Sequence, residues 1–378
     1  MDLDFTSEQT MLRDSAAKFF LNECNFEKVK HIEETEEGYS PELWQKVAEL
    51  GWTGMYFPES YGGYGGTFMD LVIIQEEIGK AVFPSPFFST IIQCGMLILE
   101  GGTEEQKTDL LGRISEGSLI MALAQYEPET DYSYESITMT AEPKGDDYVL
   151  NGTKLFVMDA NIAEKIIVAA RAGNAGLSLF LVDAKAAGVK ITKLPYVSSE
   201  NACEVIFKDV KVSKADMLGA PGGGAALLEK MYDKAGVAKA AEMSGGCRAA
   251  IDMTAKYARE REQYGNPIGG YQAIQHFMAN MLLAYDTCNN YLYRVTCMID
   301  EGNDFARDAS ALKAIANEAY RFVTERAVKI YGAIGTTREA DVALYYRRAH
   351  PFSMICGSTS YHYEKVAQKL FNEGIGVF

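Results

Sequence analysis

Apolar and polar residues follow two different periods along this chain of 378 residues, and the changes of period divide it into three regions. From residue 5 to about residue 116, apolar residues such as Leu71 and Ile78 recur at the spacing of one helix face. Helix-start signals agree with this period, as where Ser40 precedes Pro41. The first region is therefore predicted to be all-helical.

The second region shows short apolar segments instead of helical repeats. They are rich in Val, Ile, Leu, Phe and Thr and are separated by turn residues, among which Asn151-Gly152 is interpreted as a hairpin turn. The predicted strands are Leu119–Gln125, Ile137–Ala141, Tyr148–Leu150, Lys154–Val157, Ile166–Ala170, Ser178–Val182 and Glu204–Val210. Many short strands at close spacing predict a β-barrel or sandwich.

The helical period returns at about Ala225 and continues to the end of the chain. The predicted helices are Leu227–Glu260, Gln272–Glu301, Ala306–Tyr331, Arg338–Tyr346 and Ser360–Phe371. Their apolar positions cover more than one face, which indicates subunit packing as well as a bundle core. The whole pattern predicts an α+β fold: an all-helical N-terminal domain (1–118), a middle β-barrel or sandwich (119–222) and a C-terminal four-helix bundle (223–378).

Composition supports a folded globular protein and excludes several function classes. At 48% hydrophobic and 23% charged residues, the chain can bury a large core. No apolar run reaches the roughly 20 residues that span a bilayer, and Met1–Asp4 lacks a basic signal-peptide start, so a cytoplasmic location is expected. The net charge of -16 argues against binding nucleic acid or anionic membranes. Seven cysteines without a CxxC pair and only four histidines predict free thiols and no metal site.

One stretch, from Lys256 to His276, combines a charged helix end, a Gly/Pro-rich turn and a new helix that begins near Gln272. Arg261, the turn amides and Gln272 could there converge on a large anionic ligand. The alternative is a helical hairpin with a solvated charged end.

This stretch resembles the R-x-x-F-G-x-P-I…Q signature of the acyl-CoA dehydrogenases, flavoproteins that desaturate acyl-CoA thioesters, with Tyr264 in place of the usual Phe. Further segments occur in the family's order, so the resemblance covers nearly the whole chain. They are Gly51-Trp52…Pro58-Glu59…Gly62-Gly63, Glu127-Pro128…Leu150-Asn151-Gly152…Lys154 and Gly332-Ala333-Ile334-Gly335. The resemblance implies an FAD cofactor, an electron-transfer flavoprotein as redox partner, and a homotetramer or heterotetramer whose neighbouring subunits share each flavin site.

The resemblance also implies which residues contact FAD. The stretch from Lys256 to His276 supplies Arg261, Gln263, Tyr264 and Gln272, and two strand ends supply Leu123, Gln125, Tyr126, Phe156 and Met158. The late Gly-rich segment supplies Lys329, Gly332 and Ala333. Weaker candidates, just beyond the last family motif, are Ser358 and Ser360. In the family's T-E-P and W-I-T elements, Tyr126 replaces a Thr and Met158 replaces another. Taken singly and without the resemblance, Tyr126, Phe156 and Met158 are interpreted as core residues that pack at the barrel edge.

The catalytic base departs from the family pattern. Most members carry a glutamate just before a late Gly-Thr pair, where this chain has Cys356, followed by Gly357 and Ser358. The family's alternative position falls on Ala235 or Gly236, and neither side chain can accept a proton. A cysteine could serve if its pKa, ordinarily about 8.5, were lowered, whereas burial in an apolar pocket would raise it.

Nearby carboxylates are the other candidates for the base. Asp233 precedes the alternative position, and Glu242 lies two turns beyond Ala235 on the same helix face. Glu242 could equally be a solvated or interface carboxylate. Tyr126, Tyr132 and Tyr134 could also exchange protons in an unusual site.

Three functions remain open at this point. The first is FAD-dependent α,β-dehydrogenation of a bulky, cyclic or branched acyl-CoA, with electrons passed to an electron-transfer flavoprotein. The second is a non-catalytic partner subunit of a mixed tetramer, which the altered Tyr126, Met158, Lys329 and Cys356 would fit. The third is another thioester reaction on the same fold, such as elimination or reduction.

Overall fold

A computed structural model describes residues 5–129 and 131–372; Met1–Asp4, used above for the signal-peptide prediction, lie outside this range. Helices precede and follow one large sheet, so the predicted α+β fold class is confirmed. The helices are α1 (Ser7–Glu23), α2 (Phe26–Glu33), α3 (Pro41–Glu49), α4 (Phe68–Ala81), a π-helix (Phe88–Gly95), α5 (Met96–Gly101), α6 (Glu104–Ser115), α7 (Gly224–Glu260), α8 (Gln272–Asp300), α9 (Ala306–Tyr331), α10 (Val342–Met354) and α11 (Thr359–Asn372).

The strands of the middle region join into a single sheet of eight strands. They are β1 (Met121–Ala124), β2 (Thr140–Lys144), β3 (Asp147–Met158), β4 (Lys165–Ala172), β5 (Leu177–Asp183), β6 (Val189–Lys193), β7 (Ala202–Ser213) and β8 (Met217–Leu218). Their order is β6-β7-β3-β2-β4-β5-β8, and β1 pairs with β4 in parallel. Side chains from both ends of this order, including Val205, Phe207 and Phe180, share one apolar cluster, which is the core of this region.

The predicted turn at Asn151-Gly152 is wrong, because β3 runs through it as one strand of 12 residues. Its register against β7 shifts between Leu150 and Gly152 and again between Lys154 and Val157, so the irregularities are bulges. The Asn151 side chain supports the first one, since its Oδ1 accepts a hydrogen bond from the backbone N–H of Asp209 at 2.8 Å. A polar residue beside glycine therefore marks a bulge here.

Most predicted helices are confirmed, and the largest error concerns α10. The bounds of α9 agree with the prediction, and Ser40 caps α3 with Pro41 at its first position. The predicted helix Arg338–Tyr346 is instead Val342–Met354. It continues through Pro351, although proline usually ends a helix. In the described chain, no helix has both the length and the apolar composition to cross a membrane.

By compactness the chain divides into two units. One contains residues up to Lys30, Thr67–Phe83 and the chain from Gly236 onward, and in the described residues its larger elements are helices. The other contains His31–Gly66 and Pro84–Ala235 and holds the eight-stranded sheet. The three domain boundaries given above stay predictions.

In the helical unit, α4 and α7 cross with their backbones in contact at two glycines. A Cβ built on Gly79 would lie 1.9 Å from the carbonyl oxygen of Glu242, and one built on Gly245 would lie 1.9 Å from that of Glu76. Real Cβ atoms do not approach backbone oxygens so closely. The crossing therefore requires glycine at both positions.

Replacing Gly245 with alanine should destabilise the protein even though alanine favours helices. The methyl group must push α4 and α7 apart, and overpacking of this kind costs about 1–3 kcal/mol. The midpoint of thermal unfolding measures the loss. Gly270→Ala is the control, because a Cβ there meets nothing within 4 Å. Equal midpoints for the two variants would show that the crossing tolerates a side chain.

Candidate active site

The segment after β1 is fixed by a buried ion pair. Lys154 is fully buried, and its Nζ donates hydrogen bonds to the backbone oxygen of Gln125 at 3.0 Å and to Glu127 Oε1 at 2.7 Å. The Glu127 carboxylate also accepts hydrogen bonds from the Thr138 amide (2.9 Å), the Thr138 hydroxyl (2.7 Å) and the Met139 amide (3.0 Å). Strand β3 therefore holds the chain around residues 125–127 in one conformation.

The charge state of Glu127 follows from these contacts. Burial acts to raise the pKa of its carboxyl group. The hydrogen bond and charge of Lys154, with the amide and hydroxyl of Thr138, act in the opposite direction and hold the pKa below its usual value. Glu127 is thus ionised at neutral pH and serves as a structural anchor.

Tyr126, Phe156 and Met158, which are expected to contact the flavin ring, lie on two neighbouring segments beside the Lys154–Glu127 ion pair. The backbone oxygen of Tyr126 accepts a hydrogen bond from the Leu155 amide at 2.8 Å, so Tyr126 lies across from the start of the Phe156–Met158 segment. The hydroxyl of Tyr232, at the start of α7, donates to the Tyr126 hydroxyl at 3.1 Å. Leu123 is buried in β1 opposite Ile167.

The polar and aromatic groups at this point fit a flavin ring. Among the described residues, the Oε1 atom of Gln125 is buried and has no hydrogen-bond partner, so it can accept a bond from a ring N–H. Phe156 leaves 51% of its surface exposed, which is unusual for Phe and leaves an aromatic face for another ring. Both features suit a planar heteroaromatic ligand with N–H groups.

The stretch at Arg261 forms a small hairpin that sequence patterns did not predict. The helix α7 ends at Glu260, and β9 (Glu262–Gln263) pairs with β10 (Asn266–Pro267). Tyr264 and Gly265 form the tip, both with positive φ (54° and 80°), as a tight two-residue hairpin turn requires. The predicted end of the preceding helix at Glu260, the helix break and the start of α8 at Gln272 are confirmed.

The side chains expected to bind the pyrophosphate and adenine are exposed on this hairpin and at the start of α8. Tyr264 is 94% exposed, and Gln272 is exposed. Among the described residues the Arg261 guanidinium has no ion pair or hydrogen bond, which leaves its charge available to a phosphate. Gln263 instead bonds the neighbouring backbone oxygen of Glu262 at 2.7 Å.

The late candidates are arranged around the end of α9 and the start of α11. Lys329 Nζ lies 5.0 Å from the centre of the Phe277 ring, and its side chain is exposed. Gly332 and Ala333 follow in an exposed 3₁₀ turn. The hydroxyls of Ser358 and Ser360 are 3.2 Å apart and in hydrogen-bond contact with each other.

Cys356 lies in the turn between α10 and α11 and is 3% exposed. Burial raises the pKa of its thiol to about 11, although the positive charges of Lys313 and Lys239 oppose the shift. The condition for a ready cysteine base, a lowered pKa, is therefore not met. At neutral pH the side chain is a thiol that carries its proton.

The candidate Glu242 does not have the properties of a free base. Glu242 accepts a hydrogen bond from Lys239 at 2.6 Å, and both side chains are largely buried, so the interpretation as a solvated carboxylate is wrong. The Lys239 ammonium also lies 4.2 Å from the centre of the Phe352 ring. Asp233 is half-buried on α7, two residues before the fully buried Ala235.

Backbone strain marks three of the candidate residues. Seven non-glycine residues in the described part of the chain have positive φ, and three of them are candidate residues: Phe156 (54°), Tyr264 (54°) and Cys356 (60°). Such values are sparsely populated for residues with a Cβ and gather at functional sites.

Sequence reasoning missed a buried polar cluster beneath Cys356. It consists of Lys313 and Asn317 on α9 and His362 on α11. Lys313 and Asn317 stand one turn apart within the apolar run A-L-K-A-I-A-N. Two polar residues at this spacing on an apolar helix face were the signal that could have found them.

Comparisons with known proteins agree with this architecture along the chain. Three family models match: the acyl-CoA dehydrogenase N-terminal domain (residues 6–118), middle domain (122–210) and C-terminal domain (222–371). The acryloyl-CoA reductase (NADH) of Anaerotignum propionicum is 31% identical over 98% of this chain and 96% of its own length. The caffeyl-CoA reductase-Etf complex subunit CarC of Acetobacterium woodii is 30% identical over 94% of this chain and 96% of its own length.

A solved structure, the butyryl-CoA dehydrogenase of Megasphaera elsdenii, superposes with a TM-score of 0.90 at 28% identity, covering 98% of this chain and all of that one. The likeness thus extends through all three regions. The chain belongs to the acyl-CoA dehydrogenase family, FAD-dependent oxidoreductases that act on the CH–CH bond of acyl-CoA thioesters.

Proposed function

We propose that this protein reduces the α,β-double bond of an enoyl-CoA thioester, with the thiol of Cys356 as the proton donor to the α carbon. The observation that carries the proposal is the buried, protonated Cys356 at the position where the family has its carboxylate base. A thiol with a pKa of about 11 is protonated at neutral pH and so carries the proton that reduction consumes. Dehydrogenation would have to start from the thiolate. With a pKa of about 11, roughly one protein molecule in 10,000 carries this form at neutral pH.

The reaction adds a proton at the α carbon and a hydride at the β carbon. FAD, when bound, supplies the hydride chemistry. This chain contributes Gln125 and Phe156 for the flavin ring, Arg261 for a phosphate, and Cys356 for the proton. The fixed Lys154–Glu127 pair keeps the ring-binding segment in place.

Two relatives support the reductive direction by name, whereas others of similar identity, such as the short-chain acyl-CoA dehydrogenases of Megasphaera elsdenii and Clostridium acetobutylicum, are named dehydrogenases. Both sequence relatives given above are reductases of unsaturated acyl-CoA thioesters, whereas the solved relative is a dehydrogenase. An electron-transfer flavoprotein as redox partner is supported by the Etf in the name of the Acetobacterium complex. A bulky, cyclic or branched acyl group is supported only by the small side chains of Ala235, Gly236 and Cys356.

A non-catalytic subunit of a mixed tetramer is the second candidate. It is favoured by Tyr126 and Met158, which replace the hydroxyl groups of the two flavin-contacting family elements with a larger phenol and a thioether. The two functions differ in whether the chain alone binds flavin and turns over substrate.

The test uses the chain purified alone under anaerobic conditions. A yellow preparation whose flavin is first reduced chemically should regain its oxidised absorbance when an enoyl-CoA is added, and the saturated thioester should form. Crotonyl-CoA and an aryl-substituted acrylyl-CoA serve as a small and a bulky substrate. A colourless preparation would support the second candidate, and a yellow one that bleaches only with saturated acyl-CoA would contradict the reductive direction.

Arg261→Ala is expected to weaken FAD retention about 10- to 100-fold, since a charge-assisted hydrogen bond to a phosphate contributes about 1.5–3 kcal/mol. The flavin dissociation constant, from fluorescence of released FAD, measures this loss. Arg259→Ala is the matched control, because Arg259 is also exposed at the end of α7 but is not part of the family motif. Full flavin occupancy in the Arg261 variant would contradict the assignment of the hairpin.

A further inference from the structure

His362 is a buried histidine on α11 that the proposed reaction has not yet used. It is 5% exposed, and its Nε2 atom lies 2.9 Å from the backbone oxygen of Cys356. A carbonyl oxygen can only accept a hydrogen bond, so Nε2 carries the ring proton and donates the bond. His362 therefore binds the backbone of the residue whose thiol supplies the proton in the proposed reaction.

The other ring nitrogen does not stabilise the fold. Among the described residues, Nδ1 of His362 is buried and has no hydrogen-bond partner. Burial, with the positive charge of Lys313, lowers the pKa of this histidine to about 3, so the ring is neutral and Nδ1 is an acceptor. A buried acceptor without a donor is unfavourable. The bond that Nε2 donates is therefore the contact that favours a histidine at this position.

Cys356 needs such a bond because its backbone is strained. Its φ of 60° lies in the left-handed region, which is unfavourable for a residue with a Cβ. Such conformations persist only where the surrounding structure fixes them. Without the bond to its oxygen, Cys356 would relax toward negative φ, and the direction of its Cα–Cβ bond would change with the backbone.

The turn between α10 and α11 is packed closely around this bond. A Cβ built on Gly357, whose φ is 113°, would lie 2.7 Å from Nε2 of His362 and 2.6 Å from the ring of Tyr361. From α9, Nδ2 of Asn317 donates a hydrogen bond to the oxygen of Gly357 at 3.4 Å. Side chains of α11 and α9 thus bind two successive carbonyl groups of the turn, at Cys356 and Gly357.

We propose that His362 is a positioning residue for Cys356: by binding its backbone oxygen, His362 holds the strained conformation from which the Cys356 thiol donates its proton. The proposal rests on the proposed function, because the thiol that His362 positions is the proton donor of that reaction. His362 acts through the backbone of Cys356 and exchanges no proton with the substrate.

The position of the thiol matters because a proton is transferred only between atoms within hydrogen-bond reach of each other. A displacement of about 1 Å in a reacting group can lower the rate on the order of 100-fold. The proposed function uses the thiol in the chemical step alone. Loss of the bond from His362 should therefore lower kcat and leave KM nearly unchanged.

Three variants of the holoprotein separate the hydrogen bond from the size and polarity of the ring. His362→Gln keeps an amide N–H group about as far from the backbone as Nε2, whereas the shorter side chain of His362→Asn reaches only about as far as Nδ1. His362→Leu removes the polar group. We expect kcat for enoyl-CoA reduction to fall about 10- to 100-fold in the Asn and Leu variants and to stay within about threefold of wild type in the Gln variant. If His362→Leu does not fold, the polar Asn variant carries the comparison.

Alkylation of the same proteins by iodoacetamide tests the turn without any substrate. Cys356 is 3% exposed and should react slowly in the wild type, as measured by peptide mass spectrometry. It should react roughly 10-fold faster in His362→Asn and His362→Leu, since the loss of one buried hydrogen bond favours local opening, and at the wild-type rate in His362→Gln. Cys288, on α8 and 1% exposed, is the internal control, because its alkylation reports opening of the fold as a whole.

The outcomes distinguish the role of His362 from the proposed function. A wild-type kcat in His362→Asn, or an equal loss in the Gln and Leu variants, would overturn the role of His362. Equal increases in the alkylation of Cys356 and Cys288 would also overturn it, because His362 would then stabilise the whole fold and not the turn. A wild type that reduces no enoyl-CoA would contradict the proposed function alone, since selective alkylation of Cys356 would still show that His362 holds the turn.

Discussion

Replacing Lys154 with methionine should destabilise the protein by about 3–5 kcal/mol, the usual cost of leaving one partner of a buried ion pair uncompensated. Lys154 is fully buried, and without its ammonium the Glu127 carboxylate loses its counterion. The hydrogen bonds that the backbone amides of Thr138 and Met139 donate to Glu127 would remain, but they cannot offset the burial of a full charge. Chemical denaturation of the holoprotein measures the loss.

The double variant Lys154→Met/Glu127→Gln is the control for this prediction. It removes both charges, so it should recover much of the stability that the single substitution loses. If the double variant is no more stable than the single one, the loss comes from packing and the ion pair is not its cause.

The pH dependence of the same pair has a defined sign. Because the pKa of Glu127 is lower in the folded protein than in the unfolded chain, the pair stabilises the fold above about pH 4.5. This contribution is lost as the pH falls through the folded pKa. Lys154→Met should therefore lose stability at neutral pH and show a weaker further decline in acid than the wild type.

Sequence patterns predicted the helices well because their apolar faces pack on the core. The bounds of α9 could be read directly, since its apolar positions repeat for 26 residues. Short edge strands such as β6 and β8 were missed, because they contribute few apolar residues and their pairing is decided by distant segments. The strand β3 was cut in two, since Asn-Gly favours a turn locally and only its partner β7 shows that the strand continues.

The site divides in the same way. The motif residues Arg261 and Gln272 could be placed from their positions in the chain. The charge state of Cys356 could not be predicted from the sequence, because it depends on burial and on side chains that are distant along the chain. The ion pair of Glu242 with Lys239 could have been predicted from the sequence, since residues three apart lie on the same side of a helix. The burial of the two side chains could not.

Replacing Cys356 with alanine is expected to lower the rate of enoyl-CoA reduction by about 100- to 10,000-fold, the usual contribution of a positioned general acid. Alanine keeps the small volume of the site but removes the proton donor. Stopped-flow measurement of flavin reoxidation by the enoyl-CoA, with anaerobic reduced enzyme, gives this rate directly. Cys288→Ala is the matched control, because Cys288 is another buried thiol, on α8, whose pKa burial raises to about 12.

The pH dependence of the wild-type reduction rate shows whether Cys356 acts as a general acid or as a general base. A thiol pKa of about 11 keeps the proton on sulfur throughout the neutral range, so the reduction rate should not increase from about pH 6 to about pH 10. A rate that increases with pH would show that the thiolate is the active form, as dehydrogenation requires. A Cys356→Ala variant as fast as wild type would remove the thiol from the mechanism, and proton donation would then have to come from another group, with the hydrogen-bonded hydroxyls of Tyr126 and Tyr232 the next to be replaced.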